Sequence, residues 1–114
     1  MSVGVIHIIR ERATAGKVRE MLEVLQTKIK LAVDIRRKVV AGGGGMHAEC
    51  EAALLEDGSQ QVDVWGADWS PKTKKVRFES LINIRPKQHN RTMQVERQAL
   101  RDQIEQIVRA RVVD

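Results

Sequence analysis

The fold is decided by residues 47–86, which read HAECEAALLEDGSQQVDVWGADWSPKTKKVRFESLINIRP. Apolar and polar residues alternate through much of this stretch, a pattern typical of strands with one buried face. Two turn signals divide it: Glu56-Asp57-Gly58 predicts a hairpin loop, and Ser70-Pro71-Lys72-Thr73 predicts a second turn. We therefore predict strands over 47–56, 60–68 and 75–85, the last ended by Pro86.

The N-terminal part and the C-terminus predict two further strands and two helices. A β-rich run from Val3 to Ile9 reads as a strand, a helix over 14–27 begins with Thr14 as its N-cap, and alternation over 28–36 predicts the next strand. A single helix reaching Val40 is the alternative for that segment. A final helix is predicted from about Glu96 to Val112, because apolar residues recur there at helical spacing.

The predicted fold class is α+β. We expect an antiparallel β-sheet, built from a meander of three C-terminal strands plus one or two N-terminal strands. An N-terminal and a C-terminal helix are expected to pack on one face of this sheet. The other face is then polar and open to solvent, as antiparallel sheets commonly allow.

Length and composition narrow the classes of protein that need to be considered. A chain of 114 residues with 42% hydrophobic residues predicts a single folded domain over 1–114. Its net charge of +5 favours acidic partners, including nucleic acid. The lone Cys50 excludes an internal disulfide and suits a reducing compartment. No targeting segment or membrane span is recognised, so we expect a cytoplasmic protein without membrane contact.

An unbroken glycine run, Gly42–Gly45, interrupts the pattern. We predict a flexible connection there, since glycine runs usually serve as linkers. A phosphate-binding loop is not expected, because no Gly-Lys-Ser/Thr follows and no helix is predicted to open at this point.

The register of the predicted hairpin places polar side chains on one face of the sheet. It pairs Glu51 with Asp63, and the repulsion between the two carboxylates is unfavourable unless a cation lies between them. Arg77 or Arg85 can supply that cation, and so can a metal. The predicted face carries these residues: His47, Glu49, Glu51, Asp63, Trp65, Arg77, Glu79, Asn83 and Arg85.

These residue types suggest a site for a phosphate-bearing ligand. Carboxylates supply a general acid or base, arginines hold an anion, and a tryptophan stacks a base or sugar. The candidate catalytic residues are Glu51, Asp63 and Glu79. The candidate ligand-binding residues are Trp65, Arg77, Asn83, Arg85, Asn90 and Arg91.

A divalent metal is the other occupant of the acidic cluster. His47, Glu49 and Glu51 at i, i+2 and i+4 of a strand, with Asp63, form an acceptable oxygen-rich ligand set. Carboxylates beside arginines more often form ion pairs, so neutralisation is the interpretation that we favour. No cofactor is identified by any motif.

Two functional hypotheses follow from the polar face. The first is a ligand-binding or hydrolytic site for a phosphate-bearing or nucleic-acid substrate. The second is a non-enzymatic interaction module, or a homo-oligomer, that uses the same face. The sequence leaves open whether the protein is an enzyme.

Several runs together resemble a known signature: Ala41–Gly44, Leu54–Ser59, Trp65–Trp69, Phe78–Pro86 and Asn90-Arg91. The chain resembles a family of short uncharacterised bacterial proteins, a domain of unknown function frequent in cyanobacteria. This resemblance implies a bacterial cytoplasmic protein and no particular activity. The element order and basic charge are also similar to the fold of ribosome-dependent RNase toxins, which implies basic and acid–base roles for Arg77, Glu79, Arg85 and His89.

Overall fold

Five antiparallel strands form one sheet in the computed structural model, which describes residues 5–113. The strands are β1 (His7–Ile9), β2 (Ile29–Asp34), β3 (Val39–Gly42), β4 (Val64–Ser70) and β5 (Lys75–Arg77). Their order in the sheet is β1-β3-β2-β4-β5, so β2 lies at the centre. The α-helices of the same range are α1 (Ala15–Met21), α2 (His47–Glu56) and α3 (Gln98–Arg111). The predicted α+β class is confirmed.

Helices pack on both faces of the sheet. Ile29, Leu31 and Val33 point to the face that also carries the buried residues of α1 and α3. Ala32 points to the opposite face, where Cys50 and Leu54 of α2 pack against the sheet. The alternation within β2 is the reason, because successive side chains of a strand project to opposite faces. The N-terminal and C-terminal helices therefore share one face, as expected. The expectation that the other face is open to solvent is wrong, because α2 covers it.

The predicted strand over 47–56 is the helix α2. Its sequence is rich in alanine, glutamate and leucine, which are strong helix formers. His47, Cys50 and Leu54 are its buried residues, and their spacing of three and four is helical rather than alternating. Gly58, with φ of 107°, follows the end of this helix instead of forming a hairpin loop. The predicted opposition of Glu51 and Asp63 across two strands is consequently wrong.

The second predicted turn is confirmed, but the strand after it is short. The Lys74 N–H donates to the carbonyl of Ser70 at 2.8 Å and closes the connection between β4 and β5. β5 then ends at Arg77, and 3-10 turns follow at Leu81–Asn83 and Pro86–Gln88. A third 3-10 turn at Gln61–Asp63 precedes β4, so the predicted meander of three strands is reduced to one hairpin.

The N-terminal half contains a helix followed by a strand, as the favoured interpretation of residues 14–36 predicted. β2 occupies residues 29–34, so the alternative of one helix reaching Val40 is wrong. Thr14 is the N-cap of α1, and its side chain accepts from the Lys17 N–H at 3.1 Å. The predicted first strand is β1, although residues 3–4 of that prediction lie outside the described range.

The glycine run is packed and is not a flexible linker. Gly42, Gly43 and Gly44 are buried. Gly43 has φ of 110°, and a Cβ there would lie 2.5 Å from the carbonyl oxygen of Val5. The run connects β3 to α2, so a helix does open after it, contrary to expectation.

The final helix is confirmed as α3. Leu100, Ile104, Ile107 and Val108 are buried along its inner face, as the helical spacing predicted. None of the helices within residues 5–113 combines the length and the apolar composition needed to cross a membrane.

Candidate ligand-binding cleft

The three predicted catalytic carboxylates lie in three separate environments. Glu51 accepts from the guanidinium of Arg85 at 3.1 Å. Asp63 accepts from Arg36 at 3.0 Å. Glu79 is exposed and accepts from the side-chain amide of Gln94 at 2.6 Å. The structure does not bring the three groups together, because Glu51 projects from a helix rather than from a neighbouring strand.

The four predicted metal ligands are also dispersed. A helix turns by about 100° per residue, so His47, Glu49 and Glu51 do not share one direction as they would on a strand. The carboxylate of Glu49 accepts from the Met46 N–H at 3.1 Å, at the start of α2. Within the described part of the chain, no group of three or more His, Cys, Asp or Glu side chains is arranged to hold a metal ion.

Three of the six predicted ligand-binding residues are buried in the loop that covers the edge of β4, and a fourth, Trp65, is buried in β4 itself. Arg85 lies over the ring of Trp65 at 4.7 Å and donates to the carbonyl groups of Val64 and Gln61. Burial lowers the pKa of the Arg85 guanidinium, and the nearby Glu51 carboxylate opposes that change. Trp65, Arg85 and the two asparagines discussed below are less than a tenth exposed.

Two asparagines organise the same loop. Asn83 accepts from the Gly66 N–H at 2.8 Å and donates to the Gly66 carbonyl at 3.1 Å. Asn90 donates to the carbonyl of Asn83 at 2.7 Å and accepts from the Glu96 N–H at 2.9 Å. Arg91 is exposed, and its backbone N–H donates to Glu96. The polar groups of Asn83 and Asn90, which the sequence suggested for ligand binding, are therefore used in hydrogen bonds that hold the loop.

A cleft of about 760 Å³ opens elsewhere, between the first turn of α2 and the hairpin of β4 and β5. We call it the cationic cleft. Its charged side chains are four cations and two carboxylates, namely Lys28, Lys30, Arg77, Arg101, Asp68 and Glu79. Its apolar rim includes Met46, Leu81 and Met93, which are 57%, 70% and 37% exposed. Of the predicted site residues, Arg77, Glu79 and His47 line this cleft.

The register of the sheet explains why the charges meet. Asp68 of β4 is the Cα partner of Lys30 in β2 and of Arg77 in β5. Directly opposed residues of antiparallel strands project to the same face. A cation, a carboxylate and a cation therefore form a row across three strands, on the face where α2 packs.

The four cations of the cleft differ in the hydrogen bonds and ion pairs that their side chains already form. Arg101 donates to the carbonyl of Val95 at 2.6 Å and lies over the ring of Phe78 at 5.3 Å. Lys28 lies 3.9 Å from a carboxylate oxygen of Asp68. The side chains of Lys30 and Arg77 form no ion pair and no hydrogen bond within residues 5–113. Two cations of the row are thus free for an anion.

A histidine–aspartate pair forms the inner wall. Nε2 of His47 lies 2.8 Å from Oδ1 of Asp68 and 3.1 Å from the carbonyl oxygen of Ala67. Both partners are acceptors, so Nε2 carries the proton in the neutral ring and Nδ1 is left as an acceptor. His47 and Asp68 are only 9% and 6% exposed.

Nδ1 is the second ring nitrogen of His47, a residue that lines the cleft. It has no hydrogen-bond partner among the described residues. Among the described residues, Nε1 of Trp65 is the fully buried side-chain nitrogen or oxygen that lacks a hydrogen-bond partner. Nδ1 of His47 also lacks a partner, but it does not belong to this fully buried class. Nδ1 of His47 therefore retains contact with solvent, and the cleft is the opening that its residue lines. An imidazole oriented by a carboxylate and open to a cleft is an arrangement suited to proton transfer.

Sequence reasoning missed four of these residues: Lys28, Lys30, Asp68 and Arg101. The alternation of charged and apolar residues in β2 and β4 was a signal for Lys30 and Asp68. Pairing those strands was not predictable from alternation alone, because β2 and β4 are separated in the chain by β3 and α2.

The fold and the cleft define a small α+β protein with a cleft lined by four cations and two carboxylates at the start of a helix. The chain belongs to the family described as "Protein of unknown function (DUF5674)", whose model matches residues 7–111. The resemblance to a domain of unknown function is thereby confirmed. No curated protein and no solved structure matches the chain. The bacterial origin and the likeness to RNase toxins stay predictions.

Proposed function

We propose that this protein binds a phosphate-bearing ligand in the cationic cleft. The observation that carries the proposal is the row Lys30–Asp68–Arg77, in which both cations lack an anionic partner within residues 5–113. Four cations surround the cleft against two carboxylates. One of those carboxylates, Asp68, is already engaged by His47 and Lys28. The remaining charge favours an anion with several oxygens, such as phosphate.

The first turn of α2 adds to this attraction. Met46, His47 and Ala48 line the cleft, so the N-terminal end of the helix lies at its wall. The partial positive charge of a helix N-terminus stabilises anions. The helix end and the side-chain cations therefore act on the same volume.

The apolar rim indicates that the ligand is more than a bare ion. Leu81, Met46 and Met93 expose apolar surface beside the cations. Burying apolar surface contributes roughly 25 cal/mol per Å². A nucleotide or a short single strand of nucleic acid combines phosphate with an apolar face, so it is the ligand type that we expect in the cleft.

Calorimetric titration tests the proposal with inorganic phosphate, pyrophosphate, a nucleoside monophosphate and a single-stranded tetranucleotide. Lys30→Ala and Arg77→Ala are expected to weaken binding about 10- to 100-fold, since a bond to a charged group contributes roughly 1.5–3 kcal/mol. Lys72→Ala and Arg97→Ala are the matched controls, because both residues are exposed and lie outside the cleft. Absence of binding for all four ligands, or equal loss in the controls, would contradict the proposal.

Self-association is the second candidate function. It is favoured by the exposed apolar rim, since a side chain 70% exposed such as Leu81 is available for an apolar contact with a second copy. Light scattering over a wide concentration range tests it, with Leu81→Lys as the disrupting variant. A monomer at every concentration would remove this candidate.

We also propose a cytoplasmic location. It is supported by the lone thiol of Cys50, because a chain without a disulfide suits a reducing compartment. Fractionation of cells that express the protein with its native sequence tests this proposal, and recovery outside the cytoplasm would contradict it.

A further inference from the structure

We propose that the cationic cleft hydrolyses phosphate esters, with His47 as the catalytic base and Asp68 as its positioning residue. This inference rests on the proposed function, because the cations that bind the phosphate also hold the reacting group. It goes further by assigning a reaction and a proton acceptor at a named atom.

The geometry of the pair carries the inference. Nε2 of His47 is held by two acceptors, Asp68 at 2.8 Å and the carbonyl of Ala67 at 3.1 Å. These contacts fix both the tautomer and the plane of the ring, so the lone pair of Nδ1 has one direction. A carboxylate behind an imidazole also stabilises the imidazolium that forms when the ring accepts a proton.

The surroundings supply the other requirement of the reaction. Attack of water on phosphorus adds negative charge to the phosphoryl oxygens, and fixed cations at those oxygens stabilise it. Lys30 and Arg77 are the two unpaired cations of the row, one on each side of Asp68. The base and the charge stabilisers thus line the same cleft, in which hydrolysis by water would need both.

The proposed step balances with water as the only co-reactant. Nδ1 of His47 accepts a proton from water while the water oxygen forms a bond to phosphorus. The bond between phosphorus and the leaving oxygen breaks with its electron pair on that oxygen. The imidazolium then returns the proton to the leaving oxygen, so the histidine regains its neutral form and the products are a phosphate and an alcohol.

The test uses the full chain with p-nitrophenyl phosphate and bis(p-nitrophenyl) phosphate, which distinguish a monoester from a diester substrate. Release of p-nitrophenol is expected for at least one of them. His47→Gln should lower kcat about 10²- to 10⁴-fold with little change in KM, which is the usual range for loss of a general base. His89→Gln is the matched control, because His89 is exposed and lies outside the cleft.

Two further readouts separate chemistry from folding. His47→Ala should recover part of its activity when free imidazole is added, which a purely structural histidine would not show. Asp68→Asn should lower kcat while KM stays near the wild-type value, and its thermal midpoint should stay close to that of His47→Gln. If His47→Ala does not fold, His47→Gln together with the binding titration decides the role of the ring.

Each outcome bears on one proposal or the other. Binding of phosphate ligands without turnover of either ester overturns the inference and leaves the proposed function standing. Turnover that survives His47→Gln also overturns the inference, as does loss of binding in a folded His47→Gln protein. Failure of the wild-type protein to bind any phosphate ligand overturns the proposed function itself.

Discussion

The side-chain amide of Asn83 bonds to both backbone groups of Gly66, accepting from its N–H and donating to its carbonyl. The amide thus replaces the backbone hydrogen bonds of a neighbouring strand. It does so at Gly66, because β5 pairs only with residues 68–70 of β4. A side chain placed on Gly66 would lie 2.6 Å from Cβ of Ser80, so the loop fits closely against a residue that has no Cβ. The covered edge is protected from pairing with another chain.

Removal of this amide should destabilise the fold. Asn83→Ala leaves the N–H and carbonyl of Gly66 buried without partners, and each such group costs roughly 1–3 kcal/mol. We expect a loss of about 2–4 kcal/mol in the free energy of unfolding measured by urea denaturation. Gln103→Ala on the exposed side of α3 is the control, and an equal effect of both changes would contradict this role.

The Arg85–Glu51 pair should behave as a partly buried ion pair. Their side chains are 9% and 14% exposed. Glu51→Gln leaves the guanidinium without its countercharge and should lower the free energy of unfolding by about 2–4 kcal/mol. Arg85→Met added to Glu51→Gln should cost less than the sum of the single changes. Additive losses in this double-mutant cycle would show that the two residues are not coupled.

Acid should destabilise the protein through Asp57. Hydrogen bonds from Arg10, and then from Arg37, lower the pKa of the Asp57 carboxyl from 3.8 to about 2. A lowered pKa contributes stability above the ordinary value, and that contribution is lost as pH falls towards the folded value. Asp57→Asn should therefore flatten the pH dependence of the thermal midpoint between about pH 4 and pH 2. A pH dependence that is as steep in Asp57→Asn as in the wild-type protein would contradict the assignment.

Cys50 should react slowly with thiol reagents in the folded protein. Burial raises the pKa of its thiol to about 11, so little thiolate is present at pH 8. We expect native protein to react with a disulfide reagent at least about 100-fold more slowly than protein in urea, since two pKa units correspond to that ratio. Similar rates in the two conditions would show that the helix α2 opens readily.

Two glycines with similar backbone angles should respond differently to the same change. Gly58, with φ of 107°, has nothing within 4 Å of an added Cβ, so Gly58→Ala should cost only the strain of that conformation, about 1–2 kcal/mol. Gly43, with φ of 110°, would bring its Cβ to 2.5 Å from the Val5 carbonyl. Gly43→Ala should lower the free energy of unfolding by about 1–3 kcal/mol more than Gly58→Ala does, because the backbone must shift. Because Gly43 leads into α2, this variant should also weaken ligand binding in the cationic cleft, whereas Gly58→Ala should not.

Local pattern predicted those elements whose signals do not depend on distant residues. The N-cap at Thr14, the apolar spacing of α3 and the turn after Ser70 are each encoded within a few neighbouring residues. The strand β2 was also predicted, although its alternation competed with an interpretation as one long helix. Residues 47–56 were predicted wrongly because the pattern Glu49, Glu51 alternates with small apolar residues, while the alanine and leucine content favoured a helix.

The candidate site could be predicted only in part. Arg77, Glu79 and His47 were named from the sequence, and all three line the cationic cleft. Glu51, Asn83, Arg85 and Asn90 were chosen for the same chemistry, yet their polar groups are engaged in ion pairs and loop hydrogen bonds. A polar residue type does not reveal whether its partner is another side chain or a ligand.

Composition and short-range periodicity were enough to predict the α+β class, the final helix and the turn after β4. The packing of α2 on the second face of the sheet, and the row of Lys30, Asp68 and Arg77 beside His47, are visible only in the folded chain. The physical reason is that this row depends on the pairing of β2 with β4 and of β4 with β5. Such pairing is set by the packing of the whole core, which no local pattern contains.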